Sequence, residues 1–335
     1  MTSTDSSKPP ILDSFNRAFR YLRVSVTDRC NLRCRYCMPP EGIRLLRHED
    51  ILTYEEIAAV VRAAVGLGVT SVRITGGEPL VRRDLAGLVA LLRDIEGPAD
   101  ISLTTNGALL AGAAAPLARA GINRVNVSID SLDPTEYAAI TRGGDLGAAL
   151  AGLNAALEAG LSPVKVNAVM LGRSGGEELR DWMASFLDLA RRLPLHVRFI
   201  ELMPMIEGAP SACGGPAAAD VITALGATPA GNVVAGAGPA RYWQLDGAPG
   251  SVGLIAPLSE PFCDRCNRLR LTARGEIRKC LFSAPDIDLM PVLRPRIEPH
   301  AIGQALCRAW VTKPQGGERL PSGDVVRASM CQIGG

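Results

Sequence analysis

Residues 21–37 read Tyr21-Leu22-Arg23-Val24-Ser25-Val26-Thr27-Asp28-Arg29-Cys30-Asn31-Leu32-Arg33-Cys34-Arg35-Tyr36-Cys37. Tyr21–Thr27 has the composition of a β-strand. The rest is a loop with three cysteines at C-x3-C-x2-C spacing. Downstream, a helical pattern runs from the N-cap residue Thr53 through Val65 and stops at Gly66/Gly68. Val69–Thr75, Asp100–Thr104, Arg124–Ile129, Val164–Met170 and His196–Leu202 are further strands by their β-branched content, and helical patterns lie between them over Asp84–Ile95, Ala111–Ala120, Leu146–Ala159 and Glu177–Arg192. Alternation of this kind predicts an α/β fold with a parallel sheet, either a partial barrel or an open doubly wound sheet.

The remaining composition sets limits. At roughly 150 residues per domain, 335 residues suggest two domains or one barrel with an appendage. A formal charge of +2 gives no bulk attraction for nucleic acid, so none is expected as a partner. Residues 1–18 read as a flexible N-terminal tail with no signal-peptide core. Val221–Ala240 is uncharged but broken by Pro229, Pro239 and several glycines, so it reads as a helix end followed by a flexible linker and not a membrane span. The periodic pattern fades after Pro204, which divides the chain into 19–204 and a C-terminal region, 205–335.

Nine cysteines cannot all pair within one chain, and they are clustered. A disulfide scaffold is therefore not expected, and a cytoplasmic, reducing location is. Besides Cys30, Cys34 and Cys37 there is a second triad, Cys263-x2-Cys266 with Cys280 following. Structural zinc takes four closed ligands, and neither triad has a fourth Cys or His in its own segment. Three cysteines on a four-iron cluster leave one iron open. The ligand count favours iron–sulfur, with a zinc-stabilised binding module as the alternative. Cys213, Cys307 and Cys331 receive no role. Arg268 and Arg270, spaced i, i+2, share one face if they lie on a strand, and guanidinium forks suit phosphate oxygens.

The first triad with Tyr36, and Gly76-Gly77-Glu78-Pro79 after the second strand, resemble the radical S-adenosylmethionine superfamily. Arg198-Phe-Ile-Glu-Leu-Met203-Pro, Phe262-Cys-Asp-Arg-Cys266-Asn-Arg268-Leu-Arg270-Leu and the terminal Ile333-Gly334-Gly335 narrow the resemblance to the GTP 3′,8-cyclase family of molybdenum cofactor biosynthesis, a group of lyases. The resemblance implies a partial (βα)6 TIM-type barrel over 19–204 and a C-terminal region with a second cluster. It implies two [4Fe-4S] clusters, on Cys30, Cys34 and Cys37 and on Cys263, Cys266 and Cys280, the open iron of the first chelating S-adenosylmethionine. Tyr36, Gly77, Ser128 and Met203 would contact that cofactor. GTP would meet Arg268, Leu269 and Arg270, the last two in part through backbone groups, and Arg23, Arg73, Thr104 and Lys165 at the barrel rim. Gly334 and Gly335 would enter the active site and be needed for turnover. The implied reaction removes hydrogen from ribose C3′ and joins C3′ to guanine C8. It implies as partners an external one-electron donor of flavodoxin or ferredoxin type and a downstream pterin-forming enzyme. A homodimer is allowed for, and no membrane is expected. Another radical S-adenosylmethionine enzyme, such as a peptide-modifying one, is the second alternative; such enzymes usually carry a longer C-terminal cysteine series.

Overall fold

The strands that run from Tyr21 to Glu201 alternate between two environments. Leu22, Val24, Val72, Ile74, Ile101, Leu103, Val125, Val127, Val166, Val197 and Phe199 are all fully buried, on the face that meets the helices. The residues between them are Arg23, Arg73, Ser102, Thr104, Asn126, Lys165 and Arg198. Successive side chains of a strand point to opposite faces, so this period of two gives one apolar face and one polar face. The structure is a computed structural model and describes residues 9–173, 175–203, 205, 215–231, 238–316 and 329–334.

The elements in chain order are β1 (Tyr21–Ser25), α1 (Tyr54–Val65), β2 (Ser71–Thr75), α2 (Leu85–Arg93), β3 (Asp100–Thr105), α3 (Leu110–Ala120), β4 (Arg124–Ser128), α4 (Pro134–Thr141), α5 (Leu146–Glu158), β5 (Val164–Met170), α6 (Gly176–Arg192) and β6 (Leu195–Glu201). They continue with α7 (Gly215–Ala224), β7 (Ala227–Ala230), β8 (Arg241–Leu245), β9 (Ser251–Ile255), β10 (Arg268–Leu271), β11 (Glu276–Arg278), β12 (Ile287–Asp288), α8 (Met290–Leu293), α9 (Pro299–Val311) and α10 (Met330–Ile333). The expected α/β class and its six parallel strands are present. α1 opens on a capping box, Thr53 Oγ1 accepting from Glu56 N (3.2 Å) and Glu56 accepting from Thr53 N (2.7 Å). Two of the orphan donors at this helix end are thereby satisfied.

Three expectations gain detail. First, the C-terminal region shares the sheet of residues 19–204, in the order β12-β11-β10-β1-β2-β3-β4-β5-β6-β9-β8-β7. β10 adds in parallel to β1, and β9 adds in parallel to β6. A six-stranded parallel sheet exposes two rows of unpaired backbone groups, and these additions cover both. Second, Val221–Ala240 is not all linker. α7 ends at Ala224, but Ala227–Ala230 forms β7, held antiparallel to β8; residues 232–237 lie outside the described residues. Third, residues 9–18 are not loose. Ile11 N donates to the Leu67 carbonyl, and a buried ion pair joins Asp13 and Arg17 at 2.6 Å. Residues 1–8 lie outside the described residues. Among the described residues no helix is long and apolar enough to cross a membrane.

α3 and α5 pack at a close approach that needs a glycine. A Cβ on Gly152 of α5 would stand 2.2 Å from the Gly107 carbonyl oxygen and 2.9 Å from Leu110 Cβ. Alanine is favoured over glycine inside a helix by about 1 kcal/mol, but overpacking against backbone costs about 1–3 kcal/mol. Gly152→Ala is therefore expected to lower the thermal midpoint despite its better propensity. An unchanged or raised midpoint in thermal denaturation would contradict this packing.

Candidate functional site

The polar faces of the strands line one cavity of about 710 Å³. Its walls include Arg23 from β1, Arg73 from β2, Thr104 from β3, Ser128 from β4, Asn167 from β5, Arg198 from β6, Ile255 from β9 and Arg268 and Arg270 from β10. One cavity touched by eight neighbouring strands requires the sheet to curl around it. The register sets Arg23 beside both Arg73 and Arg270, so three guanidinium-bearing positions adjoin across β10, β1 and β2. Arg73 and Arg268 both lie over the Tyr21 ring, at 5.7 and 5.4 Å from its centroid. Their buried Nε atoms make no hydrogen bond, and neither Arg73, Arg198 nor Arg268 forms a salt bridge among the described residues. Burial and the neighbouring Arg268 pull Arg270 down to about 10. Burial likewise pulls Arg198 down to about 10. Buried cationic donors of one sign gathered on one face fit a polyanion.

The first triad lies beyond the C-terminal ends of the strands and is held there from three sides. Gly77 N donates to Thr27 O and Glu78 N to Arg29 O, each at 2.8 Å. Glu78 accepts from Leu80 N (3.0 Å), Thr105 Oγ1 (2.7 Å) and Asn106 N (2.7 Å). Asn106 Nδ2 reaches Asn31 Oδ1 at 2.8 Å. Burial pushes the Glu78 carboxyl up to about 7 against those hydrogen bonds. From the other side, Arg33 N and Arg35 N donate to Thr141 O (3.1 Å) and Ile140 O (2.9 Å) at the end of α4. Arg142, in a left-handed conformation at φ 56°, donates to Arg33 O (2.7 Å) and Met38 O (2.9 Å). Tyr36 donates to Asp130 Oδ2 at 2.8 Å, and Val169 N fixes the other oxygen at 2.9 Å.

The second triad lies at the opposite end. Cys263 and Cys266 precede β10, whose first residue, Arg268, is level with Tyr21 at the start of β1. Arg17 donates to Cys263 O (2.8 Å) and to Lys313 O (3.0 Å), so the Asp13–Arg17 pair buttresses this end. Burial raises the Cys266 thiol, but Lys313 and Arg268 outweigh it and hold it below the ordinary range. In the first triad burial pushes Cys30 up to about 11, and Cys34 is raised by burial too. Cys37 is raised by a hydrogen bond to Cys331 and by burial.

All six triad cysteines border the cavity, and none is in a disulfide. Among the described residues no three Cys, His, Asp or Glu side chains converge closely enough for a single metal ion. Three thiols at each end, opening on a shared void, suit a group larger than one ion, such as a four-iron cluster with one iron facing inward.

Tyr36, Gly77, Ser128 and Met203 border the cavity together, on the side of the first triad. One sequence reading changes, the depth of three strand cations. Arg23, Arg73 and Lys165 are not on the rim: Arg23 and Arg73 are each the third residue of a five-residue strand, and Lys165 is the second residue of β5. Lys165 sits one inward position below Asn167 and does not itself line the cavity. The Leu269 side chain is fully buried in the apolar face, which leaves only its backbone for a ligand. Gly334, at φ 78°, is buried, and its carbonyl accepts from Thr75 Oγ1 (3.1 Å) and Arg270 Nη1 (3.4 Å). Gly335 lies outside the described residues. Asp130, Asn106 and Arg142 were missed, as were Asn167 and Arg198. For Arg198 the signal was available, a charged residue inside an apolar strand pattern.

A Cβ at Gly77 would meet Arg29 O at 2.3 Å and Asp28 O at 3.0 Å. Gly77→Ala is expected to displace the loop entering Cys30 and to lower reconstituted iron from about eight per chain to about four, the count of one remaining cluster. Full iron in that variant would contradict the packing.

Residues 24–186 match the Radical SAM superfamily, and residues 195–318 match Molybdenum Cofactor Synthesis C. The chain is 48% identical to a GTP 3′,8-cyclase of Pelotomaculum thermopropionicum over 96% of its own length and 99% of the relative's. It is 44% identical to one from Moorella thermoacetica over 96% and 99%. The fold is shared with Streptococcus suis SuiB at TM-score 0.60 and 15% identity, over 90% of this chain and 68% of that one. With both matches and full-length relatives at this identity, the chain belongs to the GTP 3′,8-cyclase family of the radical S-adenosylmethionine superfamily.

Proposed function

We propose that this chain cyclises GTP to (8S)-3′,8-cyclo-7,8-dihydroguanosine 5′-triphosphate, the first step of molybdenum cofactor biosynthesis. The observation that carries the reading is the single cavity with a cysteine triad at each end of its strands and arginines between. Cys30, Cys34 and Cys37 would hold one [4Fe-4S] cluster and Cys263, Cys266 and Cys280 the other. Bound there, the clusters and S-adenosylmethionine would supply the one-electron reductive chemistry that starts hydrogen removal from ribose C3′.

The protein's own share is binding, orientation and exclusion of water. Tyr36, Gly77, Ser128 and Met203 contact the cofactor. Arg23, Arg73, Arg268 and Arg270 bind GTP with Thr104 and the Leu269 backbone, and Arg198 adds a fifth guanidinium. Fork-shaped donors fix a triphosphate in orientation as well as place, which sets the ribose relative to the cofactor. Gly334 reaches this interior, where its carbonyl restrains Arg270, and Gly334 and Gly335 are needed for turnover. An external one-electron donor of flavodoxin or ferredoxin type and a downstream pterin-forming enzyme complete the scheme, in the cytoplasm.

Hydrogen removed from C3′ is balanced by an electron and a proton returned to the ring, so the product is isomeric with GTP. Anaerobic incubation of the reconstituted protein with GTP, S-adenosylmethionine and a low-potential reductant is expected to yield that isomer with 5′-deoxyadenosine. Formation of 5′-deoxyadenosine without loss of GTP, or protein that carries zinc and little iron, would contradict the reading.

Lys165 makes the proposal testable by pH. Burial, reinforced by Arg198, pulls its ammonium down to about 6, so it is mostly neutral at neutral pH. A bound triphosphate favours the charged form and raises that value. GTP binding is therefore expected to take up a proton above pH 6, and affinity should fall as pH rises through the window between the free and bound values. Calorimetry in buffers of different ionisation enthalpy measures the uptake. In Lys165→Met the uptake should vanish and GTP affinity fall about tenfold, one pKa unit's worth. Equal uptake in both proteins would contradict this role.

A further inference from the structure

The first cysteine loop has two sides. Cys30, Leu32, Cys34 and Tyr36 border the cavity, and the residues that alternate with them, Arg29, Asn31, Arg33 and Arg35, do not. The outer side is basic. Residues 29–48 contain five arginines against one acid, Glu41, in a chain whose 36 basic residues nearly match its 34 acids. Arg142 joins them, since its guanidinium reaches the Arg33 and Met38 carbonyls. The return of the loop is tied to its start, Leu46 N donating to Asp28 Oδ2 at 2.6 Å and Arg29 to Leu46 O at 3.5 Å.

Arg35, Arg44 and Arg142 are exposed, and Leu45, next to Arg44, is 46% exposed. None of Arg29, Arg33, Arg35, Arg44 and Arg142 forms a salt bridge among the described residues. Arg47 does, with Glu49 and Asp50. The second triad differs, because its neighbours Arg265 and Lys279 pair with Asp264 (3.9 Å) and Asp286 (2.7 Å). Exposed cations without acids, beside an exposed apolar side chain, steer and seat an acidic partner.

We infer that the outer side of the first cysteine loop, with Arg35, Arg44, Leu45 and Arg142, is the docking surface for a small acidic protein that carries one electron. This rests on the reading of Cys30, Cys34 and Cys37 as ligands of a cluster reduced from outside. One electron leaves the carrier and enters that cluster; no bond forms or breaks and no proton moves. Arg35 is flanked in sequence by Cys34 and Tyr36, so a carrier seated on it stands one loop's thickness from the triad.

The test uses the reconstituted full-length protein and, as probe, a reduced ferredoxin of net negative charge. Rapid freezing follows the growth of the electron paramagnetic resonance signal that S-adenosylmethionine perturbs, which marks the first cluster. Photoreduced deazariboflavin, a small uncharged reductant, is the second donor. In Arg44→Glu, and in Arg44→Glu with Arg35→Gln, reduction by ferredoxin at limiting concentration is expected to slow about tenfold and to lose most of its dependence on salt. Iron content and the rate with deazariboflavin should stay at wild-type values. Arg119→Glu with Arg180→Glu, a charge reversal at exposed positions of α3 and α6, should change the ferredoxin rate less than about twofold.

Equal ferredoxin rates in wild type and the Arg44 variants would overturn the inference, as would an equal loss in the α3 and α6 variant. Wild type reduced by deazariboflavin but not by ferredoxin would overturn it as well. Unchanged ferredoxin rates with lost binding to a short DNA duplex would assign the surface to nucleic acid instead. Wild type with no signal that responds to S-adenosylmethionine under either reductant would remove the cluster reading itself, and the docking inference with it.

Discussion

Arginines occupy the inner face of these parallel strands, where barrels of this type ordinarily pack branched apolar side chains. Two unit charges about 5 Å apart, the spacing of adjacent strands, repel by roughly 3 kcal/mol at an effective dielectric of 20. Arg23, Arg73 and Arg270 are neighbours across three strands, and Arg124 pairs with an acid, Asp100. Such an interior contributes little to stability, so the burden falls on the outer face. Leu22, Val24, Val72 and Ile74 with their counterparts on the other strands form one continuous core with the helices there. The division of labour is written in a period of two: one face for folding, the other for a polyanion.

The two ends of the cavity are built by different means. At the C-terminal end, loops do the work, and the Glu78 backbone N–H and the Arg142 guanidinium pair carbonyls that an exposed cysteine loop would leave unpaired. At the other end, chain termini do it. Arg17 from the N-terminal segment and Lys313 from beyond α9 brace the second triad, with Trp310 stacked on Phe19 at 5.1 Å. The C-terminal turn then bridges the ends, from the Cys37 loop to Arg270. An open iron at either end would face the same void, which is what a substrate that spans both requires.

Much of this was legible. The six parallel strands and most of their helices follow from β-branched runs and from apolar patterns that end at glycine, and the triads follow from spacing alone. What was not legible depends on tertiary partners. α4 is a two-turn helix with weak amphipathic character, and only Asp133 and Pro134, an N-cap followed by proline at the first turn, marked it. β7 is Ala-Thr-Pro-Ala, a poor strand by composition, and exists because β8 offers it a ladder. Residues 9–18 looked like a polar tail because the distant partners of Arg17 lie at residues 263 and 313. Depth was also invisible: a charged residue in a strand could be assigned to the inner face, but Lys165 lies below the cavity and not at its rim. Cys331 illustrates the same limit, since nothing in its own segment reveals Cys37.

The central claim is that both ends of this one cavity act on a single GTP, with ribose C3′ presented to the cofactor end. Isotope transfer measures that most directly. GTP carrying deuterium at C3′ is incubated anaerobically with the reconstituted protein, S-adenosylmethionine and reductant, and the 5′-deoxyadenosine is analysed by mass. The account predicts one deuterium in 5′-deoxyadenosine and none at that position in the cyclised product. Unlabelled 5′-deoxyadenosine, or label that arrives only from GTP deuterated elsewhere, would contradict it.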